Sequence, residues 1–197
     1  MPKRVDHDQR RREIAAALWR LARRGRLDGA SLNEVAAEAG VSKGLVQHYF
    51  ASRDDLVDFA LAELRVRVDR RLRERAGPGP GGHRAALRSL LVALLPFDDD
   101  GADEVLAGHA LFGRALRDEA VAERFRAGRE QLLALIGRSV AAARAAGEIP
   151  AERQPRQEAR IALSVVGGLA EAVLLGEATR TGALRTLDYH LGGLFTR

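Results

Sequence analysis

Residues 31–56 read Ser-Leu-Asn-Glu-Val-Ala-Ala-Glu-Ala-Gly-Val-Ser-Lys-Gly-Leu-Val-Gln-His-Tyr-Phe-Ala-Ser-Arg-Asp-Asp-Leu, and this stretch decides the fold. Ser31 and Glu34 have the S-x-x-E spacing of a capping box, in which each side chain bonds the other's backbone N–H and so opens a helix. Leu32, Val35, Ala36 and Ala39 give that helix an apolar face, and Gly40 ends it. Ser42 then caps a second short helix over Lys43 to Phe50, with Val46 and Phe50 at i, i+4 turned inward and the other positions outward. Ser52 with Asp55 repeats the capping signature at the head of a long third segment. Two short helices joined by a tight glycine turn, between longer helices, form the pattern of a helix-turn-helix, whose second helix enters the DNA major groove.

Outward from this centre the periodicity stays helical. Ile14, Ala17, Leu18, Leu21 and Ala22 form the apolar stripe of a preceding helix from about Asp8 to Arg24, stopped by Gly25, with Arg10, Arg11, Arg12, Arg20 and Arg23 solvated or outward-facing. Leu56, Ala60, Leu64, Val68 and Leu72 continue the helix that Ser52 caps, until Gly77-Pro-Gly-Pro-Gly-Gly82 breaks it. Further helices are expected at roughly His83–Leu95, Asp103–Leu116, Asp118–Ala146, Arg156–Gly176 and Ala183–Phe195. No segment sustains the period-2 alternation of a strand, so the expected fold is all-α. The expected organisation is a three-helix reader over 1–53 and a helical bundle over 54–197 for dimerisation and effector binding.

Charge placement supports a nucleic-acid partner. The net charge is +5 for 197 residues, and residues 1–53 hold eleven Lys or Arg against six Asp or Glu while the remainder is balanced. A protein-binding scaffold has no reason to gather its whole positive excess around one helix-turn-helix, whereas duplex DNA attracts it. Lys43 and Arg53 both fall in the first turn of a helix, where the macrodipole disfavours a cation and a bound phosphate would compensate.

Other chemistries find little support. There is no cysteine, so disulfides and thiolate metal sites are excluded. Gly77, Gly79 and Gly82 satisfy G-x-G-x-x-G in letter only, since no apolar strand precedes them. Asp98-Asp-Asp-Gly101 would place Pro96 and Ala107 at the first and last ligands of a calcium loop, and reads instead as a loop and helix start. His7, His48, His83, His109 and His190 show no metal-ligand spacing. With no P-loop, H-E-x-x-H or G-x-S-x-G, neither a metal, a cofactor nor an enzymatic role is expected. The polar start and the lack of an 18-residue apolar run point to a cytoplasmic protein that does not enter the membrane.

From about Arg10 to Ala60, centred on residues 31–56, the sequence resembles the DNA-binding signature of the tetracycline-repressor (TetR) family, including the Gly40 turn, the Tyr49-Phe50 pair and the acidic start of the next helix. Phe125–Ile136 and Ile161–Gly176 are similar to the subgroup of the choline-responsive repressor of betaine synthesis. The resemblance implies a homodimeric repressor of a double-stranded operator, released by a small-molecule effector. It also implies that Ser31, Ser42, Tyr49 and Arg53 hold phosphates, while Lys43, Gly44, Leu45, Gln47 and His48 face the bases. Gln suits adenine, and Lys suits guanine or a phosphate. Many members carry Tyr at the position of Gln47 and Lys at that of Arg53.

Two further surfaces are expected in the C-terminal part. The segment 161–175 is apolar nearly all round, more than a monomer core needs, so Val166, Gly167, Leu169, Ala170, Val173, Leu187 and Leu191 are candidate dimer contacts, with Gly167 and Gly168 allowing a close helix crossing. Phe97, His109, Phe112 and Phe125 are candidates to line an effector pocket, because aromatic residues are only 5% of the chain and these gather in one region. The surroundings, mostly Leu and Ala, suit an apolar or cationic organic ligand. The long helix after Ser52 would carry the signal as a lever of ~35 Å.

Overall fold

The computed structural model describes residues 3–24, 26, 30–75 and 81–196, and of residues 3–6, 23, 74 and 75 the backbone only. The expected stop at Gly25 and most of the Gly-Pro break, residues 77–80, lie outside the described residues. Within them the chain is helical, without strands: α1 (Lys3–Arg23), α2 (Leu32–Ala39), α3 (Lys43–Tyr49), α4 (Arg53–Arg75), α5 (Gly82–Val92), α6 (Asp99–Ala115), α7 (Glu119–Ala145), α8 (Pro155–Leu174) and α9 (Arg180–Leu194). The all-α expectation holds.

Two compact units divide the chain, residues 1–69 and 70–197. The first therefore reaches sixteen residues beyond the boundary expected at Arg53. The reason lies in the apolar face of the first half of α4: Leu56, Val57, Ala60 and Leu64 are buried, as is the α1 stripe of Ile14, Ala17, Leu18, Leu21 and Ala22. Trp19, Val35, Val46 and Phe50 complete that buried set. A three-helix reader ending at Arg53 would leave much of this surface open, at about 25 cal/mol for each Å² of apolar area.

The helix starts follow the capping chemistry of the sequence. Asp98 accepts from the Gly101 N–H at 2.7 Å, so the acidic run is a helix cap. Asp118 accepts from Ala120 and Val121, and Thr179 from Gly182. Gly81 has φ +123° just before α5, where a Cβ would come within 2.9 Å of the Ala85 Cβ, so the end of the break requires glycine.

The second unit is built around α5, α7, α8 and α9. Leu87, Leu90 and Leu91 of α5, Ile136 and Val140 of α7, Ala159, Ala162 and Val166 of α8, and Leu187 and Leu191 of α9 are buried. Small residues on α7 and α8 let the two helices close up: a Cβ on Gly137 would lie 3.7 Å from the Pro155 carbonyl oxygen. Arg88 donates two hydrogen bonds to the Asp188 carboxylate, at 2.5 and 3.0 Å, fastening α5 to α9. Arg71, in the last part of α4, donates to the Ala93 carbonyl at 2.7 Å and pairs with Glu104 of α6.

Candidate nucleic-acid interface

The reading helix is fixed at both ends and from beneath. The capping box forms as the spacing predicts: the Glu34 N–H donates to Ser31 Oγ at 3.3 Å and the Ser31 N–H to Glu34 Oε2 at 2.8 Å. These bonds hold the Glu34 carboxyl below its ordinary range. Gly40 adopts φ +68°, the left-handed conformation that ends α2, and Val41 follows with a bond to the Ala36 carbonyl. Ser42 Oγ accepts from the Leu45 N–H at 3.1 Å and starts α3. Beneath, Val46 and Phe50 are fully buried.

Tethered in this way, α3 exposes Lys43, Gly44, Gln47 and His48, while Leu45 and Tyr49 are half-buried. Four of the five residues expected to face the bases are thus exposed, and Leu45 is not. Leu45 and Tyr49 depart from the expectation that every position but Val46 and Phe50 faces out, because both flank the buried stripe. Gly44 presents bare backbone: a Cβ there would meet only Ser42 Oγ, at 4.0 Å.

Hydrogen bonding separates the candidate phosphate ligands. The Ser31 hydroxyl donates to Glu34 Oε2 at 3.0 Å, so its proton is already used within the cap. Ser42 Oγ accepts a backbone bond and keeps its proton for an anion. Arg53 Nε donates to the Ala30 carbonyl at 2.9 Å, which sets the guanidinium against the residue before the Ser31 cap of α2. Ser42→Ala is expected to cost about 1 kcal/mol of stability through the lost cap, read as a lowered denaturant midpoint; an unchanged midpoint would mean that α3 does not depend on this cap.

The positive excess is distributed less evenly than composition suggests. Arg20 and Arg24 both bind Glu38, at 2.8 Å each, and hold its carboxyl below the ordinary range, Arg20 foremost. Arg26 pairs with Glu34, Arg10 with Glu13 and Arg12 with Glu63. Arg11, expected on the solvated side, instead lies over the rings of Phe50 and Phe59, at 5.0 and 4.2 Å. Cation–π attraction over the two rings offsets the loss of water at Arg11 Nε, which is buried without a hydrogen-bond partner. Lys43 has no ion-pair or hydrogen-bond partner among the described residues, so the exposed end of α3 carries an uncompensated charge.

In the second unit the candidate dimer residues split. Val166, Ala170, Leu187 and Leu191 are buried within the chain, at 3, 3, 0 and 0% exposure, and cannot meet a partner directly. That corrects the sequence reading, which took abundance of apolar residues for outward direction. Leu169 and Val173 are half-buried, and only Gly167 of the set is exposed. The outward faces carry Arg160, Ile161, Ser164 and Gly168 on α8, with Leu175 just after it, and Tyr189, Gly192 and Gly193 on α9. Tyr189, at 86% exposure, stands opposite the buried positions Ala183, Leu187, Leu191 and Leu194. An open groove between the two helices is lined by Ile161, Tyr189, His190, Gly192 and Gly193.

The four candidate pocket residues meet different kinds of neighbour. Phe112 and Phe125 pair at 5.8 Å, but Phe112 is 50% exposed. His109 has a ring nitrogen 3.2 Å from Glu171, and Phe97 lies under Arg180 at 4.8 Å. Each ring has found a surface or helix-end partner, which composition cannot foretell. No helix of the described residues is long and apolar enough to cross a membrane, and none of their His, Asp or Glu side chains cluster in a way that could hold a metal ion.

A capped, two-helix reader with an exposed, positively charged second helix defines a helix-turn-helix protein. Comparison with known proteins carries this to a family: residues 14–59 match the bacterial regulatory proteins of the tetR family, and residues 83–196 match the C-terminal domain of BetI-type transcriptional repressors. The chain belongs to the TetR family of transcriptional regulators, with a BetI-type C-terminal domain. It is similar to the HTH-type transcriptional regulator PksA of Bacillus subtilis, 41% identical over 76 residues that cover 39% of this chain and 37% of PksA. It is also 35% identical to the regulator BetI of Burkholderia mallei over 103 residues, half of each chain. These matches span half or less of either relative's length. A putative transcriptional regulator from Saccharomonospora viridis, solved in complex with choline, shares the fold with a TM-score of 0.79 over 96% of this chain and all of that one, at 21% identity.

Proposed function

We propose that the protein is a ligand-responsive repressor that binds a palindromic operator as a homodimer. The observation that carries this reading is the exposed face of α3, where Lys43, Gly44, Gln47 and His48 stand on a short helix held by Ser42 and by buried Val46 and Phe50. A face seven residues long reads few base pairs, and two-fold pairing of half-sites multiplies its selectivity. Phosphates are held by Ser42, Lys43, Tyr49 and Arg53, with Ser31 serving chiefly as the cap of α2. The operator of a bacterium lies in its cytoplasm, which is where the protein works.

Dimerisation uses the outward faces of α8 and α9, with Ile161, Leu175 and Tyr189 as apolar contacts and Gly167, Gly168, Gly192 and Gly193 permitting close approach. Open space around Gly167, Gly168 and Gly193 supports this, since a Cβ at these positions would meet nothing within 4 Å. The effector is a small organic cation or apolar molecule bound in the unit 70–197. The BetI-type domain supports a cation, as does Glu171, whose carboxylate meets the ring of His109 one helical turn before Phe112. Binding shifts the helix Arg53–Arg75, which contributes residues to both units, and lowers operator affinity.

Selection from a random duplex pool by the full chain is expected to return a palindrome, with affinity falling steeply as salt rises. On that duplex Gln47→Ala should lose ~1 to 3 kcal/mol of discrimination at particular base pairs, whereas Arg53→Ala should weaken all duplexes about equally. Recovery of no preferred duplex, or equal losses for both variants on every sequence, would refute the reading face.

A further inference from the structure

The first helix starts earlier than its apolar stripe requires, at Lys3, and this brings His7 within α1. The imidazole of His7 lies 4.5 Å from the Tyr49 ring, centroid to centroid, with an interplanar angle of 66°. It lies 6.3 Å from the His48 ring at 67°, and His48 and Tyr49 themselves meet at 5.1 Å and 77°. Three rings from two helices thus form one edge-to-face cluster at the end of the reading helix. Two of the three belong to the DNA-facing surface. The contact is unexpected for His7, which is exposed and takes no part in the buried core of the unit.

We propose that His7 is a positioning residue of the DNA-reading surface: its ring braces those of Tyr49 and His48, so that both meet DNA in one fixed orientation. A side chain on a helix surface has several staggered rotamers, and an exposed His48 or half-buried Tyr49 would sample more than one. Edge-to-face packing favours a single arrangement of all three rings. Fixing the two rings before binding removes an entropic cost that would otherwise fall on complex formation. Because His48 is placed to reach bases and Tyr49 to reach the backbone, the brace acts on selectivity as well as affinity. The proposal rests on α3 being the DNA-reading helix.

The test uses the full chain and the duplex that the wild-type protein selects from a random pool. His7→Ala is expected to lower affinity for that duplex ~3- to 10-fold, the range that a lost ring contact implies, with the chain still folded at the temperature of the binding assay. A repeated selection with His7→Ala should return a consensus degraded at the base pairs that His48→Ala also degrades. His7→Phe, which keeps the ring and removes its nitrogens, should restore both affinity and consensus. Wild-type affinity and an intact consensus in His7→Ala would overturn the proposal. So would failure of His7→Phe to rescue, since that would mean a direct nitrogen contact with DNA. Failure of the wild-type chain to select any duplex would instead refute the DNA-reading helix itself.

Discussion

Tyr189→Glu combined with Ile161→Glu is expected to turn the proposed dimer into a monomer and to reduce operator affinity by three orders of magnitude or more, on the order of the gap between specific and non-specific binding. Both side chains point away from the buried stripes of α8 and α9, Tyr189 at 86% and Ile161 at 41% exposure. A carboxylate at either place meets water in the monomer and costs little. At a two-fold interface each substitution appears twice and sets like charges together in a desolvated surface, which is why the effect should be large. Light scattering or sedimentation reads the mass, and a denaturant titration checks that the monomer remains folded. Charges at Leu187 or Leu191 would be uninformative, because these residues lie in the chain's own core and the variant would unfold first. A double variant that stays dimeric and binds operator would remove α8 and α9 from the interface.

The second large effect concerns pH. Burial pushes the Glu104 carboxyl up to about 7 from 4.5, against the pull of Arg71, with Asp100 and Asp98 adding to the rise. A carboxyl with a raised value in the folded state keeps its proton there while the unfolded chain has lost it. Between pH 4.5 and 7 the native state therefore binds the additional proton, and stability falls as pH rises through that window. The rise corresponds to about 3 kcal/mol at most, lost as the pH climbs from about 4.5 to 7. Glu34, Glu38 and Asp188, held low by their partners, act oppositely and at lower pH: the stability they contribute is present above their unfolded values and is lost as acid protonates them. Stability should thus peak near pH 5. Glu104→Gln, which leaves Arg71 its bond to the Ala93 carbonyl, should flatten the decline above pH 5 and match or exceed the wild type at pH 8. Denaturant midpoints at four pH values decide it. A wild type whose stability holds or rises from pH 5 to 8 would show that Glu104 ionises without penalty.

The DNA-reading part was legible because its determinants are local. A capping box, a helix-ending glycine, a second cap and two inward residues all lie within twenty residues of one another, and each acts through bonds to its near neighbours. Ser31, Gly40, Ser42, Val46 and Phe50 therefore take the roles that spacing alone assigns. The limits of this legibility are seen at Arg11 and His7. Nothing local says that Arg11 covers Phe50 and Phe59, or that His7 reaches Tyr49, since those contacts exist only after α1 has packed beside α3 and α4.

In the C-terminal unit the balance reverses. The sequence by itself determined that residues 83–196 are helices, roughly where they begin, and that α8 carries more apolar residues than one stripe needs. Which of those residues face out was decided by tertiary structure. On α8, apolar nearly all round, periodicity loses its contrast, so Val166 and Ala170 carry no local sign that they face inward, and Leu187 and Leu191 of α9 are likewise taken into the chain's own core. The same holds for the aromatic residues: composition gathers Phe97, His109, Phe112 and Phe125 into one region, while packing gives them separate partners in Arg180, Glu171 and one another. Caps and turns are written in neighbouring residues, whereas direction and partnership depend on contacts between residues far apart in the chain, and those come into being only when the helices meet.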